Sequence, residues 1–209
     1  MKKSLFSILF MFLLTLVCTG AVSAVKVFSD ERIARNQEIK LQKVVLKVLG
    51  IPMPPDAVDE DAVRLFHQRV QPVEVENQTF YLGRQAPGTA VQGIAFPVGG
   101  PGFWGPIYGL VAVTPEADRI IGLAFFKHSE TPGLGARMTE PWFTDQFKGL
   151  KLRPLPDDQN YFQLKPEGFE HAPGELDAIT GASRTSAAVE SFLNKGLHRF
   201  LNNPWSPLK

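Results

Sequence analysis

The sequence predicts an α+β fold in which one N-terminal transmembrane helix precedes a single exported domain with a mainly antiparallel sheet and flanking helices. Three observations carry that expectation. An uncharged run over residues 4–25, dominated by Leu, Phe, Val and Ala, opens the chain. Two stretches with helical spacing follow, and from about residue 78 the pattern changes to short β-rich runs. The chain then closes on a long amphipathic stretch that begins behind Gly181. At 209 residues there is room for one targeting segment and one domain of ordinary size, and an apolar fraction of 44% supplies a core.

Lys2 and Lys3 stand before the apolar run. A helix of that length reaches roughly 30 Å, enough to cross the hydrocarbon core of a bilayer. The competing reading is a cleaved signal peptide, since Val22-Ser23-Ala24 ends on small residues. The run exceeds the ~7–15 residues of a signal core, so a retained anchor is expected. In both readings the paired lysines stay inside and the rest of the chain goes outside. The expected layout is residues 1–25 as anchor or signal segment, 26–75 as a helical juxtamembrane region, and 76–209 as the exported domain.

Within that layout, residues 27–49 read as a helix with Ile33, Leu41, Val44, Val45, Val48 and Leu49 on its apolar positions, stopped by Gly50 and Pro52. Pro52-Met53-Pro54-Pro55 makes a stiff connector. Residues 56–70 form a second helix, with Val63, Phe66 and Val70 at helical spacing. Strands are expected over residues 79–82, 93–97, 107–113 and 120–126. The last two flank Thr114-Pro115-Glu116-Ala117-Asp118 as a hairpin. Thr139-Glu140-Pro141 opens a short helix through Phe147, with Pro141 suited to its first turn. In the C-terminal helix Val189, Phe192, Leu193, Leu197, Phe200 and Leu201 fall at helical spacing. Ser183 is placed at its N-cap, and Asn203-Pro204 closes it.

Composition narrows the function. Twenty-two basic against 21 acidic residues give no nucleic-acid footprint. The one cysteine, Cys18, lies in the apolar run, so no intrachain disulfide forms and thiol-redox chemistry is excluded from the exported part. The four histidines, His67, His128, His171 and His198, have no neighbours at metal-ligand spacing, and Asp157-Asp158 reads as a solvated loop. No Gly-x-Ser-x-Gly elbow, Walker-type phosphate loop or dinucleotide fingerprint occurs.

The stretch that carries chemistry is Asp177-Ala178-Ile179-Thr180-Gly181-Ala182-Ser183-Arg184-Thr185-Ser186. Its plain reading is a turn into a helix, with Ser183 or Thr180 as a capping hydroxyl that satisfies an orphan backbone N–H. The same features suit an anion. A helix start presents free N–H groups and partial positive charge. Gly181 and Ala182 remove side-chain bulk, and Arg184 adds a fixed cation with several donors. Physical reasoning alone ends at an unspecified anion.

The stretch resembles the flavinylation signature Asp-x-x-(Ser/Thr)-Gly-Ala-(Ser/Thr)-x-(Ser/Thr) of the FMN-binding domain family of the NqrC/RnfG type. These are the covalent-FMN subunits of Na+-translocating NADH:quinone reductase and Rnf electron-transport complexes. His128-Ser129-Glu130-Thr131-Pro132-Gly133-Leu134-Gly135 is similar to that family's Glu-Thr-Pro-Gly-Leu-Gly loop, and residues 102–109 are similar to the strand before its hairpin. The resemblance implies FMN joined to Ser183 by a phosphoester, with Thr180, Gly181, Ala182, Arg184 and Thr185 around it. It implies Glu130, Thr131 and Leu134 as a loop that wraps the flavin, and Asp177 as part of what a flavin transferase reads. The family's usual acceptor is Thr; Ser183 keeps the hydroxyl and loses a methyl group. Trp104 and Tyr108 are read as filling the core rather than facing the ring. No residue is assigned a catalytic or metal-binding role.

The function implied is an electron relay within a membrane redox complex, with the other subunits and the transferase as partners. The expected location is the inner (cytoplasmic) membrane, single-pass, with the soluble domain on the periplasmic side. A stand-alone exported flavin reductase or redox sensor is the alternative. A non-redox module whose Thr180–Ser186 turn merely caps a helix is the third reading.

Overall fold

A computed structural model describes residues 2–54, 56–75, 77–86, 88, 90–156, 158–168 and 170–202. The chain divides into two compact units, Met1–Lys40 and Leu41–Lys209. The first is made of helix α1, Lys2–Val48, whose last turns belong to the second unit. Along α1 the apolar side chains from Leu5 to Val25 are exposed, so no protein core accounts for them. The segment is long and apolar enough to cross a membrane.

In the second unit the end of α1 is followed by helix α2, Asp59–Arg69, and a five-stranded antiparallel sheet in the order β1-β2-β3-β4-β5. The strands are β1 Val70–Val75, β2 Gln78–Arg84, β3 Val91–Pro101, β4 Pro106–Val113 and β5 Ile120–Lys127. Each pairs with its sequence neighbour, as short connections dictate. After β5 come a 3-10 turn at Gly135–Thr139, helix α3 at Pro141–Thr144 and a second 3-10 turn at Asp145–Phe147. A small parallel pair, β6 Gln163–Lys165 and β7 Glu175–Asp177, precedes helix α4, Ser183–Asn202.

Strand alternation sends side chains to two cores. Ile94, Phe96, Val98, Ile107, Val111 and Phe125 face α4, where Val189, Phe192, Leu193 and Leu197 are buried against them. On the other face the small residues Ala95, Ala112 and Ala124 meet Val45, Leu46, Val48 and Leu49 from the end of α1, and Phe66 from α2. At ~1.5–3 kcal/mol per fully buried large apolar side chain, the α4 stripe is the chief reason this helix docks on the sheet.

The expected helices and the β4–β5 hairpin are present, and the α+β class is as read. In the hairpin Thr114 N–H donates to the Arg119 carbonyl at 3.0 Å. Three details differ. α2 starts at Asp59 and ends at Arg69, and the chain passes at once into β1, a strand not anticipated over residues 70–75. Pro72 hid it, but β1 is the sheet's edge, where a residue with no N–H is tolerated. β6 and β7, three residues each, are too short to register as alternation. Ser183 is the first helical residue rather than the cap before it. The expected stop at Asn203-Pro204, with Asp157 and Pro55, lies outside the described residues.

Candidate functional site

The local chain explains why a hydroxyl is left over at the head of α4. Gly181 takes φ +79°, a conformation that favours glycine, and turns the backbone out of the Ala178–Thr180 segment. Ala182 N–H donates to the Ile179 carbonyl at 3.0 Å, and the Ala182 carbonyl accepts Ser186 N–H at 2.9 Å. The turn is closed by another hydroxyl: Ile179 N–H donates to Ser186 Oγ at 3.0 Å, in a buried position. Ser186 thus closes the turn from inside the helix, a different bond from the helix cap that the sequence assigned to Ser183 or Thr180. Ser183 is exposed, and its hydroxyl bonds no described residue. The first-turn N–H groups lie beside it without intrahelical partners, at the positive end of a 20-residue helix.

Arg184 is also exposed and lays its guanidinium over the Phe103 ring, 4.6 Å from the centroid. Phe103 and Trp104 form the tip between β3 and β4, where Gly102 N–H donates to the Gly105 carbonyl at 2.8 Å. Their rings meet edge to face at 4.9 Å. Trp104 is 65% exposed, Phe103 43% and Leu134 45%. Placing Trp104 and Tyr108 in the core was therefore wrong. Trp104 sits beyond the strand ends on the turn, and Tyr108, 41% exposed, lies under Lys127 Nζ at 5.4 Å. Leu134 reaches the turn at Gly181 itself: a Cβ built on Gly181 would lie 3.2 Å from its Cδ2.

The remaining residues of the expected site divide by what they already bond. Thr131 is exposed and shapes its loop, its carbonyl accepting the N–H groups of Leu134 at 3.2 Å and Ala136 at 3.1 Å. Thr180 is exposed and donates to Glu167 Oε2 at 2.6 Å. Asp177 pairs with His171 Nε2 at 2.8 Å, and its N–H donates to Gln146 Oε1 at 2.7 Å. Glu130 and Thr185 are buried and bonded to each other at 2.6 Å, so both turn inward, away from any ligand on the surface. Phe103, Gln146, His171 and Glu167 were not foreseen. Phe103 lay within the quoted block of residues 102–109 but was given no role; the other three carry no signal in the local sequence that links them to the site.

A groove of about 720 Å3 runs along one side of α4 from this turn, lined by Thr180, Gly181, Ser183, Ala187, Glu190 and Lys195 among others. Together these features fit FMN. An unbonded hydroxyl and a helix start suit the phosphate end, and Arg184 is close enough to contribute charge. The exposed rings of Phe103 and Trp104 and the Leu134 side chain suit a flat apolar body.

Residues 102–198 match the FMN-binding domain family. The chain is 34% identical over 101 residues to the NqrC protein of the Na(+)-translocating NADH-quinone reductase of Chlamydia trachomatis, a match covering 48% of this chain and 32% of that protein. It thus spans about a third of the length of that relative. Against the NqrC protein of Vibrio alginolyticus it is 27% identical over 222 residues, covering 85% of this chain and 84% of the other. The crystal structure of NqrC from Parabacteroides distasonis superposes with a TM-score of 0.64 at 20% identity, over 83% of this chain and 98% of that one, which shows a shared fold. Over residues 102–198 the chain thus matches the FMN-binding domain family, and along most of its length it is similar to NqrC proteins in sequence and fold.

Proposed function

We propose that the chain is a membrane-anchored flavoprotein that carries one FMN covalently on Ser183 and relays electrons within a membrane redox complex. One observation carries the attachment: in a turn whose neighbouring hydroxyls are bonded, Ser183 alone is exposed and unbonded at the head of α4. A capping role, the main competing account of this serine, has no bond to support it: Ser183 is the first helical residue and its hydroxyl bonds no described residue.

Bound FMN supplies the redox chemistry, and the protein supplies position and electrostatics. Ser183 would hold the phosphate end through a phosphoester, Arg184 and the first-turn N–H groups would offset its charge, and Leu134 and Thr131 would contact the flavin. No general base or substrate pocket is required of an electron relay. A covalent tether keeps the cofactor from being lost outside the cytoplasm.

The functional division follows the sequence: residues 1–25 anchor the chain, 26–75 form the helical region next to the membrane, and 76–209 carry the flavin. The anchor places the domain on the periplasmic side, because Lys2 and Lys3 favour the cytoplasm. A flavin transferase that reads Asp177 loads the cofactor, and the other subunits of the complex exchange electrons with it. The names of the relatives, as subunits of an NADH-quinone reductase, support a relay over a stand-alone flavin reductase or sensor.

The test is expression of the full chain with and without a flavin transferase. Fluorescence surviving denaturation and a mass increase of one FMN are expected only with the transferase, and Ser183→Ala abolishes both. Covalent flavin on the alanine variant would move the attachment elsewhere.

A further inference from the structure

Glu130 joins three segments that are remote in sequence. Its side chain is 5% exposed. Oε1 accepts the backbone N–H of Phe103 at 2.8 Å and of Trp104 at 3.0 Å. Oε2 accepts the Thr185 hydroxyl at 2.6 Å, a partner 55 residues away. The three groups of residues that suggest a flavin site therefore meet at one carboxylate: the aromatic tip, the loop after β5 and the head of α4.

The carboxylate is seated in a cradle built for it. A Cβ at Gly102 would stand 2.6 Å from Oε1, and one at Gly135 would stand 2.6 Å from both Oε2 and Thr185 Oγ1. Any side chain at either glycine displaces the glutamate. Burial of a carboxylate is costly unless donors replace its water. Here three donors from two other segments do so, and such charge-assisted bonds are about twice as strong as neutral ones. An amide offers one acceptor oxygen where the carboxylate offers two.

We propose that Glu130 is a positioning residue that fixes the heading of Ser183 relative to the Phe103–Trp104 tip. Thr185 follows Ser183 by two residues, about 200° around a helix. Holding Thr185 inward on Glu130 holds Ser183 outward, and the same carboxylate fixes the tip through its amides. The acceptor and the rings beside it are thus set by one group. The functional meaning rests on Ser183 as the FMN acceptor; the geometry does not.

The full chain in detergent, without flavin, provides the first measurement. Thr185→Val removes the hydroxyl at nearly constant shape, and amide hydrogen exchange at Phe103 and Trp104 is expected to quicken about ten-fold. Thr185→Ser restores the parent rate. Loaded with FMN by the transferase, Thr185→Val still gains one FMN by mass, but its flavin fluorescence anisotropy falls, and Thr185→Ser recovers it. Exchange at both amides unchanged in a folded Thr185→Val chain overturns the proposal. Should Thr185→Val not fold, Glu130→Gln is read the same way. It keeps an acceptor for both amides and loses the charge, so their exchange quickens, and an unchanged rate overturns the proposal. If the parent chain takes no FMN, attachment at Ser183 fails by itself while the exchange result still decides the role of Glu130.

Discussion

At the scale of single residues, the site works by allotting hydroxyls. Thr180, Thr185 and Ser186 are bonded to Glu167, Glu130 and Ile179, and Ser183 is left over. The sequence showed four hydroxyls in seven positions and could not say which was spare. That choice depends on partners 13 to 55 residues away for Thr180 and Thr185. It depends for Ser186 on a backward bond across the turn. Leu134 offers a residue-scale prediction. Because it lies against Gly181 and is 45% exposed, Leu134→Ala leaves folding and FMN attachment intact and changes the flavin's absorption bands or midpoint potential. Unaltered spectra and potential in the loaded variant would remove Leu134 from the flavin's surroundings.

At the scale of elements, the contrast between what was legible and what was not follows from length and locality. α4 was legible because apolar spacing from Val189 through Phe192, Leu193 and Leu197 to Phe200 and Leu201 repeats the same message turn after turn. The β4–β5 hairpin was legible because its turn residues sit beside its strands. β1 was obscured by Pro72, since only the strand's place at the sheet edge makes that proline acceptable. Trp104 was misplaced because an aromatic residue beside a strand is usually core, and only the tip's position past Pro101 and before Pro106 shows otherwise. The α4 docking surface can be probed directly. Phe192 is buried and packs edge to face on Phe125 with centroids 6.3 Å apart. Phe192→Ala is expected to lower unfolding free energy by about 3–5 kcal/mol in denaturant titration of the Leu41–Lys209 unit. A loss below ~1 kcal/mol would mean that α4 is held by something other than this stripe.

At the scale of the whole molecule, the chain is one apolar helical unit and one domain with a core on each face of its sheet. The exposed side chains from Leu5 to Val25 have no use in water, while Leu41–Lys209 contains both hydrophobic clusters. A chain cut to residues 41–209 should therefore be monodisperse in gel filtration without detergent, with the far-ultraviolet signature of a folded α+β domain. The full chain should stay with the membrane pellet after alkaline extraction. Release of the protein by alkali, at a mass short of the full chain, would point to removal of the leading segment.

The self-contained stitching of the turn before α4 also has a bearing on the order of assembly. Ile179, Ala182 and Ser186 close that turn among themselves, and Glu130 accepts the Thr185 hydroxyl in the first helical turn that follows. Every bond that closes the turn thus comes from the polypeptide itself, so its shape follows from folding. On the proposed function, loading by a transferase can therefore follow folding, and a chain without flavin keeps the same turn.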